Sequence, residues 1–364
     1  MEQKKRRFAV LTGGGDCPGL NAVIRAVVKT FLQNDCEVYG VLNGFNGLIN
    51  DNLKLMDYAA VSGILPRGGT ILGTTNRDNP FHFAVEENGE LVYKDMREKV
   101  IENLRKYDIE ALVVIGGDGS LNIGAELARE CDIKVVGVPK TIDNDLPCTE
   151  RTFGFDTAMA MATEALDRLH TTAESHHRVM VLEVMGRYAG WIALHSGIAG
   201  GADVILLPEI PYKLEPVIAK IQARKAAGKN FSIVVVAEGA RPDGGEMSIA
   251  RMVEGSFEPI RLGGAGEKVA QAIEEQTGIE SRCTVLGYLQ RGGSPTAFDR
   301  VLSTRYGVAA AEACLRREYN VMVSLYHDQI VTVFIQKAAS KPRQVPVDSE
   351  IIRTGRQLGL CFGD

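Results

Sequence analysis

Short apolar runs rich in Val, Ile and Leu recur along the chain at 8–11, 37–42, 111–115, 134–138, 178–184, 203–207, 231–237 and 282–287. Between them lie longer stretches whose apolar residues return every three or four positions, at 20–33, 120–131, 156–173, 214–227, 263–277 and 299–316. The short runs predict buried strands, and the 3.6-residue period predicts helices with one apolar face. Their alternation predicts an α/β fold, with parallel sheets covered by helices on both faces. No linker or low-complexity stretch interrupts the pattern. Residues 317–364 are the least readable part, and Asp348 to Asp364 fits either a terminal helix or a frayed end.

Three of the predicted strands run into loops of small residues and carboxylates. Phe8-Ala9-Val10-Leu11 leads into Thr12-Gly13-Gly14-Gly15-Asp16, and Ala111–Ile115 into Gly116-Gly117-Asp118-Gly119-Ser120. Val135–Val138 leads into Pro139-Lys140-Thr141-Ile142-Asp143-Asn144-Asp145. In an open parallel sheet, neighbouring strand ends share one crevice, where ligands bind. Glycines there let backbone N–H groups approach phosphate, and a helix N-terminus favours an anion. With one carboxylate for a metal and another for a proton, this is equipment for phosphoryl transfer. The first loop has neither the G-x-x-x-x-G-K-[ST] spacing of a P-loop nor the G-x-G-x-x-G of a dinucleotide-binding dehydrogenase.

Composition narrows the class. At 364 residues with 45% hydrophobic content the chain has room for two domains. A net charge of −5 argues against a general nucleic-acid surface. The basic start, Lys4-Lys5-Arg6-Arg7, reads as a solvated end. Seven scattered cysteines without a C-x-x-C pair argue against a disulfide framework or zinc site. No apolar run approaches membrane-spanning length and no signal-peptide pattern opens the chain, so a soluble, reduced, cytoplasmic protein is expected. His176 and His177 fit a turn before a strand rather than ligands, and Trp191 reads as core packing.

From Phe8 to about Arg305 the chain resembles the ATP-type 6-phosphofructokinases. The three loops above carry the resemblance, the Thr141–Asp145 run being its most specific part. So do Arg67-Gly68-Gly69-Thr70, Met185-Gly186-Arg187, Ala237-Glu238-Gly239 and Leu286-Gly287-Tyr288-Leu289-Gln290-Arg291-Gly292-Gly293, in the family's order and spacing. The resemblance implies two lobes of mostly parallel sheet covered by helices, with the active site in the cleft between them. It places 1–154 with about 292–345 in a nucleotide-binding lobe, and 155–291 with part of the C-terminus in a sugar-phosphate lobe.

It also implies roles. Asp143 would be the catalytic base that takes the proton of the sugar 1-hydroxyl, and Thr141 would bond the incoming phosphoryl group or the sugar 1-position. Arg187 would stabilise charge on the transferred group. Asp118 would hold Mg2+, with ATP as co-substrate, and Asp145 would either support the metal or orient Thr141. Gly14, Asn76, Arg77, Gly116, Gly117, Gly119, Ser120 and Lys140 would line the nucleotide. Arg178, Arg282 and Arg291 would take the 6-phosphate of fructose 6-phosphate, Glu238 its hydroxyls, and Met185, Gly186, Tyr288 and Gln290 its ring surroundings. In the family, the residues matched by Arg178 and Arg282 reach into a neighbouring subunit's site, which implies a homo-oligomer, a tetramer by expectation.

Three positions depart from the familiar bacterial ATP enzymes, and a fourth sets the chain apart from the pyrophosphate-dependent branch. Lys140 replaces a glycine and resembles the pyrophosphate-dependent branch, yet that branch carries Asp where this chain has Gly119. Asn76 stands in place of an arginine, with Arg77 next to it, and Tyr288 replaces a histidine. Arg25 and Asp203 match effector-site positions, but His170 and Ala227 replace basic residues there, which argues against ADP or phosphoenolpyruvate as effectors. Pyrophosphate as donor is the competing enzyme reading. A phosphate-binding regulatory subunit without catalysis is the reading from another class, and the presence of Asp118, Asp143 and Arg187 argues against it.

Overall fold

The computed structural model describes residues 4–87, 89–252, 260–338 and 341–364. In chain order the elements are β1 (Arg7–Thr12), α1 (Leu20–Gln33), β2 (Glu37–Val41), α2 (Phe45–Ile49), β3 (Leu53–Met56), β4 (Phe83–Glu87), β5 (Glu90–Lys94), α3 (Arg97–Lys106), β6 (Ala111–Gly116), α4 (Asp118–Cys131), β7 (Val135–Thr141) and β8 (Phe153–Gly154). There follow α5 (Phe155–His176), β9 (Val179–Val184), α6 (Trp191–Ala199), β10 (Val204–Leu206), α7 (Leu214–Ala226), β11 (Ser232–Ala237), β12 (Ile249–Met252), β13 (Ile260–Leu262), α8 (Ala265–Thr277) and β14 (Ser281–Val285). A 3-10 turn at Gly287–Arg291 leads to α9 (Ala297–Leu315), β15 (Val321–Tyr326), β16 (Gln329–Phe334), α10 (Ile335–Ala338) and α11 (Glu350–Gln357).

Two main sheets carry most of the strands, while β4–β5 and β12–β13 pair as separate two-stranded ribbons. The larger runs β16-β15-β7-β6-β1-β2-β3, with β8 beside β7. Only its edge strands β3 and β16 pair antiparallel. The smaller runs β10-β11-β9-β14 and is parallel throughout. Strands such as β6 and β11 are buried along their whole length, because helices cover both faces. One apolar core runs through α1, α5, α6 and α9 between the inner faces of both sheets, and separate cores back their outer faces.

Strand order positions the site. From β1 the chain moves outward to β2 and β3, then returns to lay β6 on the other side of β1. A crevice therefore opens at the carboxyl ends of β1 and β6, where the first two glycine loops lie. The chain's end returns to the smaller sheet. Cys361 bridges Val204, accepting from Ile205 N–H at 2.9 Å and donating to Asp203 O at 3.0 Å.

Two of the elements absent from the sequence reading lack a readable period for opposite reasons. The β4–β5 hairpin is largely exposed, with Leu91 62% accessible, so no buried face patterned its residues. Helix α6 is apolar on nearly every side and so shows no amphipathic period. The terminal stretch does form a helix, α11. Trp191 departs from simple core packing: it is half-buried at the start of α6, and its indole N–H donates to Arg343 O at 2.9 Å.

Candidate active site

The first glycine loop is tied to its neighbours by main-chain bonds. Gly13 N–H donates to Ile115 O and Gly14 N–H to Thr75 O, each at 2.9 Å, while Thr74 Oγ1 donates to Gly14 O at 2.7 Å. Asn76 and Arg77, exposed just beyond Thr75, therefore stand beside Gly14. A Cβ on Gly13 would fall 2.5 Å from Ser120 Oγ, so a side chain there would part the loop from the start of α4. Gly117 precedes α4, Asp118 and Gly119 are exposed in its first turn, and Ser120 is buried behind them. A Cβ on Gly119 would meet nothing within 4 Å.

Lys140 comes from β7 and is buried. Its Nζ donates to Gly15 O at 2.6 Å. Burial lowers its pKa, and the nearby Arg291 charge lowers it further, while Asp118 and Asp143 oppose this. The ammonium thus lies within the glycine loop's cradle.

Thr141 ends β7 and organises the carboxylates after it. Asp143 N–H donates to Thr141 Oγ1 at 3.0 Å. Asn144, at φ 51°, accepts Thr152 N–H on Oδ1 at 3.0 Å, and Thr152 Oγ1 donates to Thr141 O at 2.7 Å. Asp145 bonds the Thr141 hydroxyl, and burial followed by the charges of Asp143 and Asp118 pushes its carboxyl up to about 7. Of the two roles the sequence left open for Asp145, orienting Thr141 is the one this bond serves.

The smaller sheet contributes the opposite wall. Glu238 follows β11 and is pushed up to about 7 by burial and then by the charge of Asp143. Met185 N–H donates to Oε1 of the fully buried Gln290 at 3.2 Å. Gly239 N–H donates to Gly186 O at 3.1 Å, and any side chain on Gly239 would overlap the Arg187 carbonyl. The Arg187 guanidinium lies over the Tyr188 ring at 5.0 Å. Arg291 reaches back to the first loop, its Nη1 donating to Asp16 O at 3.2 Å. Tyr288, in the same turn, is 75% exposed.

Two expected residues lie elsewhere within this chain. Arg178 precedes β9, whereas Met185 follows it, so six strand residues separate them by roughly 20 Å. Arg178 Nε donates to Glu280 at 2.6 Å, and Arg282 pairs with Glu280 and with Glu274. At the matched effector positions, Asp203 is paired with Arg224 at 2.7 Å and His170 bonds Gly200 O at 2.7 Å. The sequence reading missed Arg343, whose guanidinium donates to Asn144 O at 2.8 Å in the loop that carries Asp143. The only signal was its position between two prolines, Pro342 and Pro346.

Comparison with known proteins places this geometry. The phosphofructokinase family model matches residues 7–314. An ATP-dependent 6-phosphofructokinase 2 from Clostridium perfringens is 51% identical, with both chains covered in full. A pyrophosphate–fructose 6-phosphate 1-phosphotransferase from Streptomyces coelicolor is 49% identical over 98% of this chain and all of its own. The T-state structure of Pichia pastoris phosphofructokinase superposes with a TM-score of 0.77 and 33% identity over 93% of this chain, which spans only 36% of that longer chain. The chain belongs to the phosphofructokinase family.

Proposed function

We propose that this chain is an ATP-dependent 6-phosphofructokinase of glycolysis. It transfers the γ-phosphoryl group of ATP to the 1-hydroxyl of fructose 6-phosphate, giving fructose 1,6-bisphosphate and ADP. One observation carries the reading: Asp118 and Asp143 lie close enough to Asp145, and Asp143 close enough to Glu238, for their charges to be felt, so carboxylates that follow strands of both sheets meet in one place. Asp143 takes the hydroxyl proton, a role typically contributing about 10²–10⁴ in rate. Thr141 bonds the incoming phosphoryl group or the sugar 1-position, and Arg187 stabilises charge on the phosphoryl group as it moves. Glu238, Met185, Gly186, Tyr288 and Gln290 surround the sugar, and Arg291 contributes to its 6-phosphate.

The nucleotide lies along Gly14, Asn76, Arg77 and Gly116–Ser120, with Lys140 beneath its phosphates. No cluster of three or more metal-ligating side chains is present among the described residues, which fits an ion held mainly by phosphate oxygens and water. Asp118 would hold Mg2+, since that ion needs only one or two carboxylates besides phosphate oxygens and water. When bound, it neutralises charge on the β- and γ-phosphate oxygens. We further assign 1–154 with about 292–345 to the nucleotide lobe, and 155–291 with part of the C-terminus to the sugar-phosphate lobe. Arg178 and Arg282, at the far end of the smaller sheet, would serve a second copy's site, giving a homo-oligomer, a tetramer in this reading. No helix among the described residues is long and apolar enough to cross a membrane, which is compatible with a cytoplasmic setting.

Pyrophosphate is the second reading, favoured by the buried Lys140 ammonium at the glycine loop. Gly119 favours ATP, because the space beside it is open where an α-phosphate must pass. Turnover of fructose 6-phosphate by the purified protein, compared with ATP and with pyrophosphate, decides between them. Turnover with pyrophosphate alone would overturn the ATP assignment.

A further inference from the structure

Three consecutive residues near the C-terminus connect loops from both sheets. Arg343 N–H donates to Asp145 O at 2.6 Å, and its guanidinium Nη2 donates to Asn144 O at 2.8 Å and Glu150 O at 3.2 Å. These acceptors lie in the loop after β7, which carries Asp143. On the other side, Trp191 Nε1 donates to Arg343 O at 2.9 Å, and Gln344 Nε2 donates to Tyr188 O at 3.1 Å. Val345 N–H donates at 2.8 Å to Oε1 of Glu209, whose carboxylate also takes Gly190 N–H at 3.0 Å. These partners lie in the loop after β9, which carries Arg187, and just beyond β10.

The Arg343 guanidinium also stacks on the Trp191 ring, 4.7 Å from its centroid. Pro342 and Pro346 flank the segment and fix φ at its two ends, restricting how the backbone between them can move. Residues 343–345 are thus tied on one side to the loop after β7 and on the other to segments of the smaller sheet, so the segment links the two.

We propose that residues 342–346 are a strap that sets the spacing between the Asp143 loop and the Arg187 loop, with Arg343 as its positioning residue. The proposal rests on the catalytic reading of Asp143 and Arg187 and adds a residue that touches neither substrate. Its lever is geometric: the Arg343 guanidinium holds the carbonyl oxygens of Asn144 and Glu150, so loss of the side chain frees two points of the loop that carries Asp143 and lets the base drift. A misplacement of about 1 Å can cost on the order of 100-fold in rate.

Trp191 is the chain's single tryptophan, so its fluorescence reports the strap independently of activity. The test measures kcat, both KM values, melting temperature and acrylamide quenching for wild type, Arg343→Ala and Arg343→Lys. Arg343→Ala is expected to lose about 10- to 100-fold in kcat with little change in either KM and with increased quenching of Trp191. Arg343→Lys, which keeps a donor and the charge but not the planar stack, should recover part of the rate. Unchanged kcat, or a loss confined to KM, would overturn the positioning role even if quenching rises. If Arg343→Ala does not fold, Gln344→Ala removes one tie and should lower kcat several-fold; no effect on kcat would then overturn the proposal. A wild type inactive with fructose 6-phosphate and ATP would sink the catalytic reading instead, and the quenching of Arg343→Ala would still decide whether the strap holds Trp191.

Discussion

The main-chain N–H of Asp143 donates to the side-chain oxygen of Thr141 at 3.0 Å, while the carboxyl of Asp145 bonds that same hydroxyl. One threonine thus sets the conformation of the loop on which both carboxylates ride. The loop's other side is closed by Asn144 and Thr152. Under the proposed function, a base held this way would need little reorganisation when the acceptor hydroxyl arrives.

Asp143→Asn keeps the size of the side chain but replaces a proton acceptor with an amide. Turnover is expected to fall about 10²- to 10⁴-fold, with fructose 6-phosphate affinity nearly unchanged. Steady-state kinetics and equilibrium binding check this. A variant that keeps more than about a tenth of wild-type kcat, far above that range, would show that another group takes the proton.

Arg178→Ala and Arg282→Ala should weaken sugar-phosphate affinity far more than ATP affinity, each removing a charge-assisted contact of roughly 1.5–3 kcal/mol. Their distance from Met185 within one chain makes the stronger test a mixing experiment. Arg178→Ala mixed with Asp143→Asn should regain activity, because some mixed oligomers contain one intact composite site. No rescue in verified mixed oligomers would argue against shared sites.

Gly119→Asp should cripple use of ATP more than any use of pyrophosphate. The wild-type site is open at that Cβ position, so the added carboxylate meets nucleotide rather than protein. Like charges 4 Å apart repel by roughly 4 kcal/mol at an effective dielectric of 20. Competition by ATP against a pyrophosphate-driven assay would read the difference; equal loss with both donors would remove Gly119 as the determinant.

His195 supplies a pH-dependent stability term. Burial, followed by the charges of Arg151 and Arg343, lowers its pKa to about 4, against an ordinary value of 6.5. Between these values the unfolded chain takes up a proton that the folded chain does not, so stability falls as pH drops through that window. Melting temperatures at pH 7 and pH 4.5 should fall more for wild type than for His195→Gln. An equal fall would mean that His195 does not carry this term.

The elements that follow from local pattern were legible without coordinates. The six long helical periods correspond to α1, α4, α5, α7, α8 and α9, and the eight apolar runs correspond to β1, β2, β6, β7, β9, β10, β11 and β14. These segments are buried on a consistent face, and burial writes period into sequence. The separate hairpin β4–β5 is largely exposed, and the short α2 spans barely more than one turn, so neither had such a period to show.

For the site, the sequence by itself supplied the candidates: Asp118, Thr141, Asp143, Arg187 and Glu238 stand in short motifs whose residue types the proposed reaction would use. It also determined the strand–loop–helix context that presents glycine N–H groups to phosphate. Tertiary structure alone decided that Lys140 bonds Gly15 O, that Arg291 reaches Asp16, and that Arg178 lies roughly 20 Å from Met185. It alone joined Arg343 to Asn144 across 199 positions of chain. The physical reason is that hydrogen bonding and charge depend on distance in space, which strand order and the return of the chain's end set, whereas residue type and period are local properties that neighbouring positions already contain.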